Sequence, residues 1–288
     1  MARSVALRAF LFLPIVFLAA FLLAPLGLMV AVSFWRRAGL FVQPAFVFTS
    51  YQAFFDSVRF TILKRSLTVS LEATILSLFI SYPIAYFLAF RTRPGAARLV
   101  LLLFTAPFLV NYIIRAFAWT YLLGRTGPVN SLLTSVGVVD RPLDWLLYSD
   151  FGVLIGLITS YMPFMIFPIW MSLAGIDRPL IQASWVLGAS PAQTFFSVTL
   201  PLSLPGVFAA AIFGFVGCFG ESAVPVILGG VGYQMMGNTI TSAMDVLNYP
   251  LAAAMSSIVV LTMVILIVGW YLLFDMRSFL GKILNWRG

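Results

Sequence analysis

Long apolar runs separated by short polar stretches dominate the chain. Three of them carry no charge: Ala9 to Trp35, Phe151 to Ile176 and Val246 to Phe274. Ser66 to Phe90 holds only Glu72, Leu99 to Gly124 holds only Arg115, and between Arg178 and Asp245 the sole charge is Glu221. A helix needs roughly 20 predominantly apolar residues to cross a hydrocarbon core of about 30 Å. The pattern predicts six membrane spans at 9–34, 66–90, 99–123, 151–175, 206–229 and 249–274, forming a single all-α integral membrane domain over 1–288.

The stretch Leu180 to Val207 breaks this pattern. It is apolar enough to pass for membrane, yet Pro191, Pro201 and Pro205 interrupt it, and Gln182, Ser184, Ser190, Gln193, Thr194, Ser197 and Thr199 spread polarity along it. Backbone groups freed by such breaks are costly in lipid unless neighbouring protein satisfies them. The arrangement predicted here is a short helix, a turn at Gly188 and a second short helix, all outside the hydrocarbon. A glycine-rich stretch, Gly229 to Thr239, reads as a loop between the last two spans.

Composition agrees with the pattern and removes whole classes of function. The 288 residues are 62% apolar and only 9% charged, against about 25% charged in soluble domains. The net charge of +8 has no soluble basic domain to present it to nucleic acid; the basic residues fall at span ends, where membrane proteins carry them. The absence of histidine excludes His-based triads, H-E-x-x-H zinc sites and His proton relays. The single cysteine, Cys218, excludes an intrachain disulfide. Arg3 and Arg8 precede an apolar run that is longer than the 7–15 residues or so of a signal peptide, so it is read as a retained first span. No G-x-x-x-x-G-K-[ST] pattern occurs.

Six spans place both termini on one side. Arg91, Arg93 and Arg98 crowd one short loop on that side, joined by Arg3, Arg8, Arg178, Arg277, Lys282 and Arg287. Positive charge in short loops favours the cytoplasm, so the termini are expected inside. The two larger outer segments look ordered. Residues 36–65 are rich in aromatics (Phe41, Phe46, Phe48, Tyr51, Phe54, Phe55, Phe60), and 125–150 contain Trp145 and Tyr148 with Asp140, Asp144 and Asp150. These suit interfacial helices or a simple aromatic belt.

The 180–207 stretch resembles the EAA loop of binding-protein-dependent ABC-transporter permeases, whose pattern is EAA, three residues, G, about nine residues, then I-x-L-P. Ala183, Gly188 and the closing Leu200-Pro201 match, while Gln182 stands where the family has Glu and Ser184 where it has its second Ala. Further strings resemble the spermidine/putrescine-type branch: Ser81-Tyr82-Pro83-Ile84-Ala85-Tyr86-Phe87; Ile114-Arg115-Ala116-Phe117-Ala118-Trp119 followed by Leu122-Leu123-Gly124, Gly127 and Asn130; and Ala223-Val224-Pro225 with Leu228-Gly229-Gly230.

The resemblance implies a type I ABC importer permease fold in the bacterial inner membrane, with a cytoplasmic coupling-helix loop at 177–205. It implies that Gln182, Ala183, Ser184, Gly188, Ala189, Ser190, Leu200 and Pro201 meet an ATPase. The implied partners are a second homologous permease, an ATPase dimer and a periplasmic substrate-binding protein. ATP and Mg²⁺ would belong to the ATPase, with no cofactor and no metal on this chain. Gln182 keeps hydrogen bonding but loses the charge assistance, which roughly halves such a bond. Docking is therefore expected to rest on apolar packing and to tolerate salt.

Three ionisable residues are expected within the membrane, where such groups are functional candidates. At about 1.5 Å rise per residue, Glu72, Arg115 and Glu221 lie roughly 9, 13 and 12 Å below the outer ends of their spans. Arg115 is expected to neutralise a glutamate, with Glu72 as its partner. Glu221, after Gly217-Cys218-Phe219-Gly220 and before Pro225, sits where a helix is loosened. It is the candidate for a substrate path, with Tyr82, Tyr86 and Trp119 offering cation–π contacts or simply packing. The function implied is half of a translocation pathway for polyamines. Amino-acid-like compounds, opines, sulfate or ferric ions are alternatives on the same architecture, and an intramembrane enzyme is a remote one.

Overall fold

The computed structural model describes residues 2–39, 41–106 and 110–273. Arg277, Lys282 and Arg287, counted above for orientation, lie outside the described residues, as does the end of the last expected span at 274. In chain order the elements are α1 (Ala2–Ser33), β1 (Arg36–Ala38), β2 (Phe41–Gln43), α2 (Thr49–Phe54), α3 (Ser57–Phe90), α4 (Pro94–Thr105), α5 (Tyr112–Leu123), α6 (Pro128–Ser135), α7 (Asp150–Ala174), α8 (Arg178–Val186), α9 (Pro191–Thr194), α10 (Leu200–Gly220), α11 (Ala223–Gly229), α12 (Met236–Asp245) and α13 (Tyr249–Leu273). Among the described residues, five helical stretches are long and apolar enough to cross a membrane: Val16–Ser33, Val58–Phe90, Asp150–Ala174, Pro191–Gly220 and Tyr249–Leu272.

Two expected spans differ from the helices observed. The span 99–123 is not one helix but α4 and α5, because the chain restarts at Asn111, whose side chain accepts from the Ile113 N–H at 2.8 Å and caps α5. The span 206–229 starts earlier and stops sooner. Its helix runs unbroken from α9 through a π-helical turn, Phe195–Thr199, into α10 and ends at Gly220. The second short helix expected outside the hydrocarbon is therefore the root of the fifth span. Pro201 and Pro205 do not break it. The π turn lies just before Pro201 and shifts the hydrogen bonding there, the Leu200 N–H donating to the Phe195 carbonyl, so that the missing proline N–H falls where the ladder is already displaced.

The described chain forms two compact units. One comprises the residues up to Thr61 and those from Thr239 onward. In it α1 packs on α13, and α13 carries α2. Phe34 anchors the segment after α1, with ring centroids 4.9 Å from Phe46, 5.4 Å from Phe48 and 5.3 Å from Tyr51. The expected order of this aromatic stretch is thus realised as an aromatic cluster beside a small antiparallel hairpin.

The other unit, residues 62–238, is organised around α7 against α10. Their approach is set by glycine. A Cβ at Gly206 would fall on the Pro168 carbonyl, one at Gly214 would come within 2.7 Å of Met165 Sδ, and one at Gly217 would overlap the Tyr161 ring. Two buried clusters flank this seam. One gathers Ala85, Leu88, Met165, Ile166, Ile169, Leu173 and Ala210; the other gathers Val69, Ala73, Val153, Leu157, Cys218, Val224, Leu228 and Met235.

Candidate functional site

The expected coupling segment is a sharply turned helical corner. α8 ends in a Schellman arrangement: the Gly188 N–H donates to the Trp185 carbonyl at 2.9 Å and the Ala189 N–H to the Ser184 carbonyl at 3.0 Å. Gly188 adopts φ +83°, a conformation that a Cβ makes costly. Ser190 then starts the next helix with a capping box: Gln193 N–H donates to Ser190 Oγ at 3.3 Å and Ser190 N–H to Gln193 Oε1 at 2.8 Å. Ser184 ties the two arms together through Thr194, Oγ to Oγ1, at 2.8 Å. Ser184, which replaces the pattern's alanine, thus has a local use.

The corner presents apolar side chains outward. Val186 and Leu187 are each 87% exposed and Trp185 56%. Gln182 and Ala183 are exposed on the same helix. Leu200 and Pro201 sit one helical run away, at the root of α10. The corner therefore places an apolar tip, Trp185 to Leu187, on the surface of the chain.

The second region is the break between α10 and α11. Glu221 itself is extended (φ −67°, ψ 133°) and ends α10. Its carboxylate is held on three sides: Tyr161 donates its hydroxyl to Oε2 at 2.7 Å, and the backbone N–H groups of Ser222 and Ala223 donate to Oε1 at 3.0 Å each. The charge thereby stabilises the start of α11. Around it opens a cleft of about 460 Å³, whose walls include Tyr112 and Arg115 of α5, Ser160, Tyr161 and Phe164 of α7, and Val216 and Gly217 of α10. The cleft therefore carries one positive and one negative side chain.

The other expected pathway residues do not converge on Glu221. Tyr82 shares a 2.9 Å hydrogen bond with Ser203, and both Tyr82 and Tyr86 meet Phe195 edge-on, at 5.8 and 6.1 Å between centroids. They pack at the root of α10. Trp119 lies against the buried cluster of Val153 and Leu157. The expected Arg115–Glu72 pair is absent among the described residues. Glu72 is exposed on α3, while Arg115 lines the Glu221 cleft instead. Equal depth in two different spans does not imply a shared face, which is why the pairing argument failed.

Tyr161 is a functional candidate that sequence reasoning missed, and Gly217, read only as loosening the helix, is one whose role in admitting the Tyr161 ring it did not see. The available signal was weak: one tyrosine after Thr159 and Ser160 in an otherwise apolar span, and a glycine four residues before Glu221.

Comparison with known proteins places these features in context. Residues 73–278 match the protein family described as "Binding-protein-dependent transport system inner membrane component". The spermidine/putrescine transport system permease protein PotB of Escherichia coli (strain K12) is 32% identical over 259 residues, covering 88% of this chain and 92% of the relative. The protein of the same description from Haemophilus influenzae is 33% identical over 253 residues, covering 87% and 88%. A chain of the bacterial alginate ABC transporter, solved in complex with an alginate pentasaccharide-bound periplasmic protein, superposes with a TM-score of 0.70 over 92% of this chain and 93% of that one, at 18% identity. That likeness is one of fold.

Proposed function

The chain belongs to the family of binding-protein-dependent transport system inner membrane components, a multi-pass inner-membrane transport subunit and not an enzyme, and from that premise we propose that it forms half of the translocation pathway of an ATP-driven polyamine importer. The observation that carries the substrate class is near full-length similarity to two spermidine/putrescine permeases. In this reading the chain pairs with a second, homologous permease. An ATPase dimer supplies ATP and Mg²⁺ sites on the cytoplasmic side, and a periplasmic binding protein delivers the substrate. The α4–α5 pair takes the place of the third crossing, and the termini face the cytoplasm.

Two structural features support the division of labour. The Trp185–Leu187 corner offers an apolar knob for the ATPase, so that closure of the ATPase pair moves α8 and, through the continuous Pro191–Gly220 helix, the walls of the pathway. Farther along that helix, Glu221 and the aromatic walls of its cleft offer a weak stopping point for an ammonium group. Uptake of labelled spermidine into vesicles carrying the complete complex tests the proposal; uptake should require both ATP and the binding protein.

One observation favours a second reading. Arg115 lines the same cleft as Glu221, and a pair of opposite charges also suits an amino-acid-like solute bearing both. Competition of spermidine uptake by such solutes separates the two readings.

A further inference from the structure

Three side chains from three separate segments meet at one carboxylate oxygen. Tyr233, in the loop after α11, donates its hydroxyl to Asp150 Oδ1 at 2.6 Å, and Arg65 of α3 donates Nη2 to the same oxygen at 2.8 Å. The Arg65 guanidinium carbon also lies 3.9 Å from the centroid of the Tyr233 ring. Burial, with the Asp150 carboxylate beside it, pushes the Tyr233 phenol up, so it stays a donor at neutral pH. The Arg65 and Asp150 side chains are 41% and 66% exposed.

From this exposed end the loop runs inward as a strap pinned along its length. The Tyr233 ring covers Gly229. Asn238 accepts from the Met235 N–H and donates to the Tyr233 carbonyl, both at 2.7 Å, and the Met236 N–H donates to Ser66 Oγ at 2.8 Å. Met235 and Met236 are fully buried. The strap ends against the break in the pathway helix: Gly237 lies on the Glu221 carbonyl so closely that a Cβ there would overlap it. One short segment, held by these hydrogen bonds, therefore connects an exposed ion pair to the back of the residue that shapes the cleft.

We propose that Arg65, Asp150 and Tyr233 are positioning residues for the Glu221 cleft, forming an external anchor whose release lets the strap move Gly237 off the Glu221 carbonyl and so changes the cleft. Given cytoplasmic termini, the starts of α3 and α7 face outward, where a binding protein docks; this orientation rests on the functional reading above. The intact anchor holds the resting state. Docking of the binding protein competes for the exposed charges and frees Tyr233.

The test uses the complete transporter and reads ATP hydrolysis with and without binding protein. Tyr233→Phe keeps the ring and removes the donor; Asp150→Asn removes the charge; Asp150→Glu is the conservative control. Loss of a hydrogen bond to a charged acceptor should raise the binding-protein-independent rate about tenfold in the first two variants, with the Asp150→Glu rate near that of the unaltered protein. Basal rates within twofold of the unaltered protein in both, in complexes that assemble with full stoichiometry, would overturn the proposal. Should either variant fail to assemble, a Tyr233→Cys, Asp150→Cys pair joined by a bifunctional thiol reagent should abolish stimulation by the binding protein; full stimulation of the joined transporter would overturn it equally. The unaltered complex serves as the separate check on the functional reading, since failure of binding protein to stimulate it counts against that reading, while the basal rates of the variants speak only to the strap.

Discussion

Tyr161 donates its hydroxyl to Glu221 Oε2 at 2.7 Å across the α7–α10 seam, and its ring occupies the space left by the missing side chain of Gly217. The two contacts depend on each other. Glycine admits the ring, and the ring delivers the donor that orients the carboxylate.

Glu221→Gln keeps an oxygen for the Ser222 and Ala223 N–H groups while removing the charge. Spermidine uptake is expected to fall about tenfold, the scale of a charge-assisted hydrogen bond, with the ATPase still co-purifying. Unchanged uptake would remove Glu221 from the pathway.

Gly217→Ala pushes a methyl into the Tyr161 ring. Overpacking of this kind costs about 1–3 kcal/mol, and thermal unfolding of the purified complex should shift downward accordingly. Gly269→Ala, with nothing within 4 Å of the added carbon, is the matched control. It should leave the midpoint unchanged or raise it, since alanine is favoured over glycine in a helix by about 1 kcal/mol.

Gly188 has open space around its absent Cβ but a φ of +83°. Gly188→Ala therefore carries a purely conformational cost of about 1–2 kcal/mol, expressed as weaker coupling of ATP hydrolysis to uptake. Gly188→Asn should be milder, because asparagine tolerates the left-handed region. Equal effects from the two substitutions would show that backbone conformation is not what Gly188 contributes.

At the corner, Val186 and Leu187 are almost fully exposed. The ATPase should stay bound in about 1 M salt, where charges are screened beyond about 3 Å, and should be lost on Leu187→Asp. Gln182→Glu should add a salt-sensitive component. Salt alone stripping the ATPase would contradict apolar docking.

The apolar runs made the spans of α1, α3, α7 and α13 legible, because length and the absence of charge decide such helices without help from partners. Two features were not legible. Pro201 and Pro205 read as breaks, yet the helix runs through both, with a π turn just before Pro201, an accommodation that depends on local geometry rather than composition. The split of the third span likewise turns on Asn111 acting as a cap inside an apolar stretch. At the site, Gly188 announced its turn because positive φ favours glycine, whereas the Ser190 capping box was not read from the sequence. The Tyr161–Glu221 contact did not announce itself, since it joins residues far apart in sequence through two helices whose relative rotation no periodicity revealed. The same blindness to rotation paired Arg115 with Glu72 and gathered Tyr82, Tyr86 and Trp119 around Glu221.

The most direct test of a polyamine-importing permease is uptake of labelled spermidine by proteoliposomes containing this chain, its partner permease, the ATPase pair and the binding protein. Uptake should depend on ATP and on the binding protein, and should resist competition by amino-acid-like and anionic solutes. A complex that hydrolyses ATP and takes up one of those solutes, but not spermidine or putrescine, would contradict it.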